Sequence, residues 1–478
     1  MDRRIETDPK SEGPMTEAVK TSLRESPRAR WAAMVIAGLA MLCGYFMADV
    51  MAPLKPMLEQ QLGWTSTQYG FFTSAYGWLN VFLLMLLVAG IILDKMGVRF
   101  TGRLATLVMV AGAVLKYYAI THTFDPRPIL QNVPIIGGMP LQVYLAGLGF
   151  AIFGVGIEAA GITTSKLLVK WFKGKELALA MGLQLAMARM GTAAALMISA
   201  PVAAHFKTVS APVLLAVVLL IIGFISYMVY GVMDSKLDAS EGRTKAGGGE
   251  EEFHLSDIGL ILKNKGFWYI SMLCLLFYSG VFPFLKYATD LMVQKYHIDL
   301  NVAGIIPGLL PFGNIFMTPI FGRMVDRKGK AASIMFLGSA MLIAVHLLFA
   351  VPVLDHWLVA FVLILVLGVT FSLVPSAMWP SVPKLIPEKQ LGTAYALIFY
   401  IQNWGLMGVP LLIGWILDRY CIVSRTVAAD GTVTVGYNYT IPMLTFMGFG
   451  ILGLVFAFLL KAEDKRKRYG LELPSSTT

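Results

Sequence analysis

Charge is scarce in this 478-residue chain: 14% of its positions are Asp, Glu, Lys or Arg, against roughly 25% in soluble domains. Too few charged residues remain to cover a soluble surface when 57% are hydrophobic. Cysteine is scarcer still. Cys43, Cys274 and Cys421 are an odd, scattered set that supports no disulfide framework. The six histidines (His122, His205, His254, His297, His346 and His356) fall in no HExxH pattern, and no CxxC occurs, so no metal site is expected. No GxSxG elbow is present. The stretch "GVRFTGR" (Gly97 to Arg103) lacks the Lys-Ser/Thr of a phosphate loop and follows an apolar run rather than a strand. Enzymatic readings, cofactors and ATP-driven work are therefore not expected. The net charge of +10 needs no nucleic acid, because the bases lie in tails and short loops.

What the chain does have is apolar length. About twelve runs of roughly 20 residues are each long enough to cross a bilayer as a helix. β-barrel spans would be short and alternating. The expectation is an all-α polytopic membrane protein with spans near 31–53, 68–93, 104–121, 141–169, 177–201, 211–233, 267–293, 302–323, 331–351, 357–380, 393–417 and 438–460. The stretch "DSKLDASEGRTKAGGGEEEFHLSDIG" (Asp234 to Gly259) reads as a flexible linker. The chain then divides into a tail (1–30), a six-helix bundle (31–234), a linker (235–265), a second bundle (266–461) and a tail (462–478). The first tail mixes acids with bases and has no apolar stretch, unlike a signal or transit peptide. Bases crowd alternate loops: Lys95, Arg99 and Arg103; Lys170, Lys173 and Lys175; Lys263 and Lys265; Arg327, Lys328 and Lys330; Lys465 to Arg468. The positive-inside rule makes that side, with both termini, cytoplasmic. A bacterial inner membrane suits the basic tails.

The halves echo one another. "GIILDKMGVR" (Gly90 to Arg99) ends the second span and "GRMVDRKGK" (Gly322 to Lys330) the eighth. Each places an Asp (Asp94, Asp326) four residues after a glycine and a second glycine (Gly97, Gly329) three later, then bases. A partial copy, "GWILDR", ends the eleventh span at Asp418. The duplicated pattern resembles the loop signature of the major facilitator superfamily, whose parallel halves flank a central site. The resemblance implies that Asp94, Arg99, Asp326 and Arg327 belong to gating loops, the Asp holding a neighbouring helix end through its charge.

Arg189 stands in the middle of the apolar stretch "LQLAMARMGTAAALMISA". Insertion scales put its cost on a lone helix at about 2.5–3.5 kcal/mol, so it needs an acid, a wet cavity or both. Glu158, in the preceding span, and Arg189 lie about equally far from the turn that joins them, some 18–20 Å deep at 1.5 Å per residue. They are expected at one level on adjacent helices, either as a structural ion pair or as a site for a zwitterion. In the second case Glu158 takes an ammonium and Arg189 clamps a carboxylate; without ligand the two would satisfy each other. Tyr69, Thr73 and Tyr76 share one helical face and either line a cavity or form an interfacial belt. Tyr278 is a cavity candidate, whereas Lys286 and Asp290 pair at i, i+4 near the outer end. Tyr400, Gln402 and Asn403 cluster at one level, as ligand contacts or as polar glue between helices. Asp49 is a possible proton site.

Two longer stretches sharpen the resemblance. "WFKGKELALAMGLQLAMARMGT" (Trp171 to Thr192) and "SAMWPSVPKLIPEKQLGTAYALIFYIQNWGL" (Ser376 to Leu406), the latter containing Trp379, closely resemble the lysosomal dipeptide transporters called major facilitator superfamily domain-containing protein 1. Ala396 stands where that family has glycine. The resemblance implies an alternating-access uniporter of dipeptides. It also implies that Glu158 and Arg189 receive the peptide's amino and carboxyl ends, with Trp379 among the lining residues. No docking surface for an accessory subunit is recognisable. Two other readings stand beside it: a proton-coupled carrier of organic anions or sugars, and a non-transporting receptor or scaffold.

Overall fold

The computed structural model describes residues 23–474, apart from 126, 132, 134–136, 173–175, 241–254, 388–389 and 428–432. Its first half contains α1 (Pro27–Asp49), α2 (Lys55–Leu62), α3 (Ser66–Ser74), α4 (Trp78–Phe82), α5 (Met85–Thr121), α6 (Leu141–Phe172), α7 (Leu177–Phe206) and α8 (Ser210–Ser240). A short helix, α9 (Leu255–Ile261), precedes the second half. That half comprises α10 (Lys265–Tyr296), α11 (Leu300–Ala303), α12 (Ile305–Lys328), α13 (Ala331–Ala350), α14 (Trp357–Leu385), α15 (Leu391–Tyr420) and α16 (Thr440–Lys467).

Among the described residues, eleven helical stretches are long and apolar enough to cross a membrane. The twelfth crossing is the second expected span, which is not one helix. It is assembled from α3, a 3-10 turn at Ala75–Gly77, α4 and the first turns of α5, with Leu84 in the left-handed region. The crossing then turns into the next at Gly97 alone, inside α5, with φ 74° and ψ 173°. The matching glycine of the second half, Gly329, ends α12 with φ 66°. A side chain at either glycine would be strained, so the motif's second glycine has one physical meaning in both copies: it admits the positive φ at which the chain reverses, alone at Gly97 and together with left-handed Lys330 (φ 61°) after Gly329.

Packing repeats the symmetry. The pairs α1–α7, α1–α8 and α5–α8 of the first half correspond to α10–α15, α10–α16 and α13–α16 of the second. The halves meet along α7 against α12 and α3 against α15. All basic loops lie at one end of the bundle, called here the basic end; the opposite end is the far end. There a two-stranded antiparallel hairpin, β3 (Ile422–Val427) with β4 (Val433–Tyr437), joins α15 to α16. A smaller pair, β1 (Pro128–Ile129) with β2 (Met139–Pro140), precedes α6.

The linker begins later than expected, because α8 continues to Ser240. Asp234 is fully buried and accepts from Tyr230 Oη (2.9 Å), Trp171 Nε1 (3.3 Å) and Lys170 Nζ (2.8 Å). Those donors hold the acid in the bundle. The linker glycines Gly242, Gly247, Gly248 and Gly249, and Lys173 and Lys175, lie outside the described residues, whereas Gly259 falls in α9.

Candidate functional site

α6 and α7 run antiparallel and carry Glu158 and Arg189 to the middle of the bundle, as their distances from the joining turn require. The expected ion pair between them is not formed. Glu158 instead accepts a 2.6 Å hydrogen bond from Tyr76 Oη. The Arg189 guanidinium lies in an aromatic box, 5.6 Å from the ring centre of Tyr45, 5.2 Å from Phe282 and 5.6 Å from Phe371. Its Nε is buried without a hydrogen-bond partner among the described residues. Aromatic faces attract a cation but leave its N–H donors unused, so the guanidinium is held in place and still able to bind. The box draws on both halves, with Tyr45 on α1, Phe282 on α10 and Phe371 on α14. A cavity of about 60 Å³ between α7 and α12, lined by Arg189, Gly182, Asn314 and Thr318 among others, reaches toward the basic end.

Above the box sits a layer of side chains from the second half. Trp379 Nε1 donates to Tyr278 Oη (3.1 Å), and the Trp379 ring stacks on Phe399 at 4.9 Å. Tyr278 is buried and packs edge-on to Phe371. These two candidates therefore share a wall with the Arg189 box. Gln402 accepts from Cys274 Sγ (3.5 Å), and Asn403 Nδ2 donates to Phe399 O one turn earlier (2.9 Å). Tyr400 is half-buried, its ring edge-on to the exposed Trp404. The structure does not bring Gln402, Asn403 and Tyr400 to the Arg189 box.

Tyr69 is also displaced from the expected cavity. It is fully buried and donates to Lys286 O (2.8 Å) across the seam between the halves. Lys286 and Asp290 do not pair with each other. Lys286 Nζ binds Asp49 (2.6 Å) and Ala48 O (2.9 Å), while Asp290 takes Lys55 Nζ (2.7 Å). Both partners belong to the other half, where the break after α1 turns Asp49 and Lys55 toward α10. Lys55 and Asp290 are both fully buried. Lys55 also pairs with Glu59 (2.7 Å) and lies 4.3 Å from the Tyr437 ring centre. Tyr439 donates to Asp290, and Tyr437 to Glu59 (3.1 Å). Burial pushes both phenols above the usual tyrosine range, which keeps them protonated as donors. Asp49, the expected proton site, also accepts from Thr192 Oγ1 (2.7 Å).

Asp418 completes this far-end layer. Its two oxygens accept from the backbone N–H of Ser66 (3.1 Å) and Thr67 (2.6 Å) at the N-terminus of α3. The partial motif copy thus caps a helix of the opposite half, where anions are favoured. Asp418→Ala should lower stability by about 1–2 kcal/mol, read as an earlier thermal melt; a variant that melts with the parent would remove the capping role. The full copies act differently here. Asp94 pairs with Lys166 (2.7 Å) of its own half, and Arg99 with Asp234 (3.5 Å) and Asp238 (3.0 Å). Asp326 and Arg327 are exposed at the end of α12.

The sequence did not point to Tyr45, Phe282 or Phe371, which look like ordinary core residues until Arg189 stands among them. Nor did it point to the hairpin tyrosines. For them a signal existed, the β-branched alternation "TVTVGY" before the last span.

Two bundles of like packing around a seam are the architecture of a transporter, and a family model described as Major Facilitator Superfamily matches residues 37–410. The chain belongs to the major facilitator superfamily. It is thus a multi-pass membrane protein with the family and fold of transporters rather than enzymes. It is 27% identical over 389 residues to the lysosomal dipeptide transporter MFSD1 of Bos taurus, covering 78% of this chain and 76% of that one. With the protein of the same name from Danio rerio it is 26% identical over 447 residues, covering 91% and 87%. The fold is also that of the nucleoside transporter NupG, with TM-score 0.62, 13% identity and 91% and 98% of the chains covered. A bacterial homologue of the human lysosomal transporter Spinster gives 0.64, 12%, 91% and 97%.

Proposed function

We propose that this member of the superfamily carries small zwitterions, dipeptides first among them, by alternating access. The observation that carries the reading is a carboxylate and a guanidinium on adjacent helices at mid-membrane, neither with a charged partner among the described residues. An unpaired charge inside a membrane protein is costly and marks a functional site. A ligand bearing an ammonium and a carboxylate would compensate both groups at once, with the aromatic box between the halves sensing its arrival. Likeness to transporters named for dipeptides supports the size of the solute.

Uniport is the coupling the acids favour. Asp49, Glu59 and Asp290 each hold a lysine, and Asp418 holds backbone donors. Glu158 is then the one of these five carboxylates open to a substrate amine, with none left over for a co-transported proton. The inter-half hydrogen bonds described above all lie at the far end, so the far end is closed and the solute enters and leaves from the basic end in this state. The charge bias of the loops makes that end cytoplasmic, with a bacterial inner membrane as the setting.

The test is thermal. A free dipeptide at a hundred times its Kd should stabilise the purified protein by about 2.7 kcal/mol, whereas N-acetylated or C-amidated forms should leave the melt unmoved. Equal stabilisation by free and blocked peptides would show that terminal charges are not what is read.

A further inference from the structure

The ion pairs at the far end leave one buried cation unexplained. Lys116, on α5, is 1% exposed and pairs with no carboxylate among the described residues. Its Nζ donates to Met47 O (3.1 Å) and faces the rings of Phe150 (4.9 Å) and Phe72 (5.8 Å). Lys286, from the other half, donates to the next carbonyl, Ala48 O (2.9 Å), and approaches the same Phe150 ring at 5.9 Å. Met47 and Ala48 lie in the last turn of α1, where carbonyls lack helical partners and the dipole favours cations. Two ammonium groups therefore sit side by side on one helix end, with Asp49 beside them. Only Lys286 holds the acid.

The two lysines belong to different halves. When the far end opens, Lys286 must leave with α10, while Asp49 and both carbonyls remain on α1. Lys116 travels with Asp49, because α5 packs inside the same half. We propose that Lys116 is the second counter-ion of Asp49, a positioning residue that takes the carboxylate over from Lys286 when the halves part. The exchange keeps Asp49 from standing as an uncompensated buried charge in the far-open state. It rests on the alternating-access reading but not on the identity of the solute.

The experiment places spin labels on Gln60→Cys and Val353→Cys, both exposed at the far end, the three native cysteines being buried. Distances are then measured in the labelled full-length protein. The parent should show a short and a long population; a parent confined to the short one under all conditions would overturn alternation and the exchange with it. Lys116→Met should reduce the long population relative to the short by about tenfold or more, and Lys116→Arg should restore it. In an Asp49→Asn background, Lys116→Met should change nothing, because no charge remains to be handed over. A scaffold lysine would lower the long population equally in both backgrounds, and that result, or no effect at all, overturns the proposal. Should Lys116→Met fail to reach the membrane, folding of the Asp49→Asn/Lys116→Met double variant supports the exchange and its failure refutes it.

Discussion

An Arg189→Ala variant should lose dipeptide uptake by about 10²–10⁴-fold while its ligand-free form melts no earlier than the parent. The first half follows from what the guanidinium offers a carboxylate: two charge-assisted hydrogen bonds at about 1.5–3 kcal/mol each, with each 1.4 kcal/mol a factor of ten. The second half follows from what the guanidinium lacks. Removing one partner of a buried ion pair strands the other and destabilises by about 3–5 kcal/mol, but Arg189 has no such partner to strand among the described residues. Its truncation deletes a desolvated cation and three aromatic contacts, two terms of opposite sign. Arg189→Lys should recover only part of the activity, since an ammonium keeps the charge but not the planar fork. Uptake in proteoliposomes and melting of the detergent-solubilised protein measure the two halves separately. Lost activity with a strongly lowered melt would make Arg189 a structural residue; intact activity would remove it from the site.

The absence of the pair also shows where sequence reasoning reached its limit. Depth along a helix is fixed by residue count, so Glu158 and Arg189 were placed correctly at mid-bundle. Which way each side chain turns depends on its neighbours. Tyr76, from the broken second crossing, claims Glu158 first, and three rings that look apolar in sequence claim Arg189. Lys286 and Asp290 teach the same lesson more sharply. Their i, i+4 spacing on one helix was legible, and the local pair it suggests is worth only a few tenths of a kcal/mol. Partners presented by the opposite half, in a buried seam, outweigh it. The span count, the halves and the duplicated glycine turns were readable because they rest on composition, periodicity and backbone conformation. The break of the second crossing was not, because "TQYGFFTSAYGWLN" contains no proline to mark it. The far-end seam was hidden for a different reason: its partners are separated by hundreds of positions in the chain, as Lys55 is from Asp290 and Ser66 from Asp418.

Lys55→Met should unseal that seam, shifting the balance between far-closed and far-open forms toward the open one by about 10²–10³-fold. Lys55 is the only cation bonded to either Asp290 or Glu59 among the described residues, so its loss leaves two neighbouring carboxylates buried without a positive charge. Breaking such a pair from one side costs about 3–5 kcal/mol, and only the closed form bears that cost, since opening lets water reach both acids. The hydroxyls of Ser66, Tyr437 and Tyr439 remain as donors, which limits the loss without replacing the charge. The spin-label pair at the far end reads the shift directly as a larger long-distance population, and melting of the closed form should fall with it. The charge argument has its own control. Lys55→Met combined with Asp290→Leu and Glu59→Leu removes every charge of the Lys55–Asp290–Glu59 cluster, and replacing a buried ionic cluster with packed apolar side chains is often neutral or stabilising. The triple variant should therefore close again, and an open triple variant would mean that Lys55 seals the end by shape rather than by charge.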